Sequence, residues 1–99
     1  MTKIKKLANE MLDELCSAKE YAEKYVWYKS KDESQWANRF KEMANDELKH
    51  AGYLHDLVVK DIEMLSKTFT PPESMKEKWE KDHAEYVEKA SWVKQMLNM

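Results

Sequence analysis

Chain breakers are scarce here: one glycine, Gly52, and two prolines, adjacent at Pro71 and Pro72, in 99 residues. With 36% of its residues charged, such a composition favours long helices over sheets. Cysteine is as rare. The lone Cys16 excludes an internal disulfide and fits a reducing, cytoplasmic setting. No apolar run approaches the roughly 18 residues that a membrane span needs, and the N-terminus lacks the apolar segment of a signal peptide. The expectation is therefore a soluble chain without a membrane segment. An excess of one charge is missing too: the net charge is −2 with acids and bases interspersed, which leaves no basic face for nucleic acid. Ninety-nine residues suffice for one modest core, so residues 1–99 read as a single domain.

What the sequence does have is helical periodicity. From Thr2, a candidate N-cap, apolar residues recur at Ile4, Leu7/Ala8, Met11, Leu15, Ala18, Ala22 and Tyr25/Val26, a helix over about 3–30. The polar string Ser30-Lys31-Asp32-Glu33-Ser34 makes a turn, with Asp32 or Ser34 available to cap the next helix. This second helix, over about 33–67, places Trp36, Phe40, Met43/Ala44, Glu47, His50/Ala51, Leu54, Leu57/Val58, Asp61/Ile62 and Leu65 in one stripe, with Gly52 on its outer side. After the prolines, a third helix over about 73–98 has the stripe Met75, Trp79, His83, Tyr86, Ala90, Val93 and Leu97. Short links make sequential helices antiparallel, so the fold class expected is all-α, reading up, down, up.

Charged residues are rarely buried unless paired or metal-bound, and Glu47 projects from the middle of the second stripe. His50 lies one turn on, so both side chains can reach a common point between helices. A partner carboxylate has to come from the first helix. On a helical wheel Glu20 points away from the stripe and Glu23 lies well off it, whereas Glu14 sits at its edge. Folding the hairpin about residue 32 sets Glu14 opposite His50, within roughly 5 Å of the axial level of Glu47. Glu14, Glu47 and His50 are thus the candidate metal and catalytic residues. On the residues alone they are either ligands, a buried ion pair in a metal-free bundle, or a pair at a wet oligomer interface.

Glu14-Leu15-Cys16-Ser17-Ala18-Lys19-Glu20-Tyr21 resembles the first-helix segment of ferritins and bacterioferritins, where a ligating Glu precedes Leu and, seven residues on, Tyr. Phe40 to Ala51, with its Glu-x-x-His, resembles the second helix of rubrerythrins and ferritins. The likeness covers roughly residues 7–58. It implies a ferritin-like di-iron carboxylate site, Fe(II) oxidation of the ferroxidase type, and Tyr21 in contact with a ligand. Ferritins have four helices with ligands on all of them, whereas this chain offers half of that set. Two copies about a two-fold axis would supply the rest, as in the similar small, encapsulated ferritin-like proteins, so a homo-oligomer is implied. Glu/His sites accept manganese and zinc as well as iron. The rival expectation is a metal-free helical scaffold or interaction module.

Glu80 and His83 form a second Glu-x-x-His. Antiparallel packing about residue 70 or 71 sets His83 opposite Val58 and Glu80 opposite Asp61, roughly 12–16 Å along the bundle from His50. This favours a local polar cluster of Asp61, His83 and either Glu80 or Lys3 over a second metal site. His55 reads as a surface or interface residue and the seven methionines as core filler. Trp27, Tyr28, Cys16 and Leu12 mark another face of the first helix, for the third helix or another subunit; Cys16 has no activating partner.

Overall fold

The computed structural model describes residues 2–99 and holds three α-helices, with no strand among those residues. They are α1 (Thr2–Ser30), α2 (Ser34–Ser66) and α3 (Glu73–Leu97), each end within one residue of the span that periodicity sets. The bundle measures 55 × 17 × 17 Å, and no helix is long and apolar enough to cross a membrane.

Between α1 and α2, Asp32 adopts a left-handed backbone (φ 59°), which an Asp tolerates better than most residues. The Glu33 N–H then donates to the Tyr28 carbonyl at 3.0 Å. That use of Asp32 removes it as a cap, and Ser34 is already helical. Glu33 holds the N-cap position of α2 without a side-chain cap bond, so neither expected cap acts. Thr2, expected as a cap, lies within α1. Pro72 precedes α3, where its carbonyl accepts from the N–H of Met75 and of Lys76.

α1 is the central element. Ile4, Ala8, Met11, Leu15, Ala18, Ala22 and Tyr25 are buried on it, the stripe the sequence marks. Its contacts with α2 run in opposite chain order: Lys3 with Asp61, Glu14 with His50, Tyr28 with Phe40. Those with α3 run in the same order, Asn9 with Lys78 and Lys29 with Met99. Ala37, Ala44, Ala51 and Val58 form the buried seam of α2 at seven-residue intervals. Small side chains there, facing Ala18 and Ala22, let the two helices approach closely.

Two expectations about these faces need correction. The stripe of α2 is wider than one neighbouring helix can cover, so Trp36, Met43 and Leu57 are exposed (53%, 40% and 38%). On α3 the one buried charged residue is Asp82 (6% exposed), paired with Lys78. Lys78 also donates to Asn9 Oδ1 of α1 at 3.2 Å. Helix α3 straddles two neighbours: Val93, Met96 and Leu97 pack toward α1, whereas Trp79, His83 and Tyr86 meet His55 of α2. Gly52 faces inward toward that contact, where an added Cβ would lie 3.8 Å from the Tyr86 hydroxyl, and α2 runs through it unbroken.

Candidate metal centre

The site grows from the heptad register. On α1, Leu7, Glu14, Tyr21 and Tyr28 form a half-buried line beside the seam; on α2, Phe40, Glu47, Leu54 and Asp61 do the same. At 100° per residue, Glu47 sits roughly 40–60° to one side of the Ala44/Ala51 seam, and His55 about as far to the other. Helix α3 meets the His55 flank and leaves the Glu47 flank uncovered.

On that open flank Glu14, Glu47 and His50 converge, with one ligand atom from each lying within 4.8 Å of the other two. His50 Nδ1 is 3.6 Å from Glu14 Oε2 and 3.8 Å from Glu47 Oε1. The carboxylate side chains are 32% and 23% exposed, the imidazole 52%. The lines of α1 and α2 therefore supply the acids, and His50 closes the cluster from the solvent side.

A hydrogen bond to Glu14, which needs one of the two carboxyls protonated, raises the Glu47 pKa above the ordinary 4.5. Burial and the negative charge of Glu14 push the same way, and His50 pulls it back. Two acids competing for one proton beside an imidazole are a donor set that a divalent cation suits, because it can neutralise both at once. This is the only such group of three or more among the described residues.

Among the described residues, Asp61, Glu80 and His83 are not part of that group. Tyr21, expected in contact with a ligand, stacks its ring on Phe40, at 6.2 Å between centroids. Lys3 Nζ lies 3.4 Å from Asp61 Oδ2, too poorly aligned to count as a hydrogen bond, so that buried oxygen has no hydrogen-bond partner. Glu80 is exposed. His83 instead stands 5.1 Å from His55, ring to ring, beside Trp79 and Tyr86. The polar cluster expected around Asp61 thus splits, keeping the Lys3 pair and losing His83. His55, read as a surface or interface residue, is half-buried at the contact with α3. Its place one turn beyond Ala51, on the flank opposite Glu47, was the available signal. Cys16 is exposed. Of the expected second face of α1, Leu12 and Tyr28 pack against the core, while Trp27 stays 55% exposed.

No family model, no curated protein and no solved structure matches this chain.

Proposed function

We propose that this chain is a half-sized, ferritin-like metal-binding protein whose Glu14, Glu47 and His50 form half of a di-iron site, completed by a second copy. The observation that carries this reading is the convergence of those three side chains, from two helices, on the flank that α3 leaves open. Bound Fe(II) would supply the redox chemistry, giving electrons to dioxygen or peroxide. The chain's part is to bind and to release protons. Glu14 and Glu47 offer hard oxygen donors, His50 offers an imidazole nitrogen, and a cation would compete with the proton that Glu47 holds more tightly than usual.

The case for a second copy lies in α2. Trp36, Met43, His50, Leu57 and Met64 follow one another at seven-residue intervals, each exposed, with His50 at the midpoint of the helix. In an up-down-up chain this line borders the open flank. A two-fold axis near His50 would set Trp36 opposite Met64 of the partner subunit and Met43 opposite Leu57 of the partner subunit. Two hairpins meeting so make a four-helix bundle with two lone Glu and two Glu-x-x-His units, the full di-metal donor set. The lone Cys16 suits a reducing cytoplasm.

Anaerobic Fe(II) titration of the full chain, with metal analysis and sedimentation, tests the reading. We expect two irons per dimer and Fe(II) oxidation on admitting oxygen, both lost in Glu47→Ala and His50→Ala. Failure to bind Fe(II), Mn(II) or Zn(II) would leave the chain as a metal-free scaffold. A monomer holding two irons would overturn the half-site.

A further inference from the structure

The Glu14, Glu47 and His50 cluster uses one of the three histidines in the chain. The other two, His55 on α2 and His83 on α3, are far apart in sequence yet lie ring to ring at 5.1 Å. We propose that His55 and His83 form a second, independent site for a single divalent cation of the copper, nickel or zinc class, clipping α2 to α3.

Three features beyond proximity favour a site over simple ring packing. The first is orientation. His55 Nδ1 lies 3.0 Å from Asp56 Oδ1; since a carboxylate only accepts, the neutral ring makes this bond with its proton on Nδ1, which leaves the lone pair on Nε2 for a metal. A carboxylate behind the imidazole is the usual companion of a metal-bound histidine, fixing its tautomer and raising its basicity. Charge is the second. The same 3.0 Å contact sets the Asp56 carboxylate beside one of the two imidazoles, where its negative charge favours a cation. The third is shelter: Tyr86 stacks on His55 at 4.9 Å, and Trp79 stands 5.5 Å from His83, so two aromatic rings wall the pair.

The donor set decides the metal class. Glu14 and Glu47 bring hard oxygens to the first site, whereas the second offers two imidazoles, with no carboxylate grouped with both among the described residues. Two neutral nitrogens favour Cu(II), Ni(II) and Zn(II) over Fe(II) or Mn(II), with water completing the coordination. Because the ligands belong to different helices, a bound ion ties α3 to α2, where few other contacts hold it.

The test uses the full chain carrying Glu47→Ala and His50→Ala, so that the first site cannot compete, with Cu(II) and Zn(II) as probes. We expect one Cu(II) per chain, with electron paramagnetic resonance showing two imidazole nitrogens, and a higher Tm with Zn(II). Adding His55→Gln or His83→Gln should remove one nitrogen from the spectrum and abolish the Zn(II) shift. Exposed Asp56, changed to Asn, should weaken Cu(II) binding by roughly ten- to a hundredfold without touching the fold, which covers the case in which a histidine variant fails to fold. Two-nitrogen binding that survives His83→Gln, unaltered affinity in Asp56→Asn, or no saturable Cu(II) binding would each overturn the proposal. None of these outcomes bears on iron at Glu14, Glu47 and His50, since the variant lacks that site.

Discussion

His50 Nδ1 stands 3.6 Å from Glu14 Oε2 across the α1–α2 groove, the contact that closes the one group of three metal-ligating side chains among the described residues. Glu47 lies on the same flank. Its carboxyl holds a proton more tightly than usual because it shares a hydrogen bond with Glu14. Without metal, the folded chain then binds more protons than the unfolded chain as pH rises from the ordinary 4.5 toward the elevated folded value. Stability falls across that window, since ionising Glu47 sets it against Glu14. Glu47→Gln removes the penalty. We expect it to raise the Tm of chelator-treated protein at pH 7 by about 2–4 °C, on the scale of roughly 0.5 kcal/mol for a partly solvated charge pair. It should also flatten the decline that begins above pH 4.5. With Fe(II) present the order should reverse, because the amide cannot replace an ionised ligand. Thermal unfolding with and without metal reads both signs, and a variant less stable in both conditions would count against the shared proton.

The line Trp36, Met43, His50, Leu57, Met64 makes a separate expectation about assembly. Leu57 is 38% exposed in the single chain, so Leu57→Glu should change monomer stability by no more than about 0.5 kcal/mol. Across a two-fold axis it would bury two new carboxylates against Met43 of the partner subunit. Sedimentation velocity should show loss of the dimer with an unchanged helical circular dichroism spectrum. A dimer that persists in Leu57→Glu would move the interface to another face.

The sequence made the helices legible to within a residue because long apolar periodicity and a shortage of glycine and proline leave few alternatives. Glu14, Glu47 and His50 were legible for the same reason: two helices joined by a short turn have a register that arithmetic can follow. Periodicity alone could not tell how much of a stripe a neighbour covers. Trp36 and Met43 belong to the apolar face of α2 by their spacing, yet α1 reaches only as far as Ala37 and Ala44. Nor could it show that α3 lies between two neighbours, which buries Asp82 and turns His83 toward His55.

Gly52 illustrates the same limit and can be tested directly. It is helical, its φ is not positive, and a methyl group there would meet only the Tyr86 hydroxyl, at an ordinary 3.8 Å. Nothing in the structure requires glycine at this position. Gly52→Ala should therefore stabilise the chain by about 0.5–1 kcal/mol, through the lower backbone entropy of alanine in the unfolded state. Denaturant titration should show a higher midpoint with an unchanged slope. A loss of stability would mean that Tyr86 needs that space.

The pairing of Lys78 with Asp82 ties the first turns of α3 to α1. Asp82 is nearly buried, its side chain 8% exposed, and the same ammonium donates to Asn9 on α1. Lys78→Met keeps the aliphatic stem but leaves the Asp82 carboxylate without a cation, and a buried acceptor deprived of its partner costs about 1–3 kcal/mol. Adding Asp82→Leu removes the charge as well as the need for a partner, so the double variant should recover much of that loss, as replacing both members of a buried pair by apolar groups often does. Asn9→Ala alone should cost less than either, since Lys78 keeps Asp82. A double-mutant cycle by urea unfolding measures the coupling, and a value near zero would show that apolar packing alone holds α3 on α1.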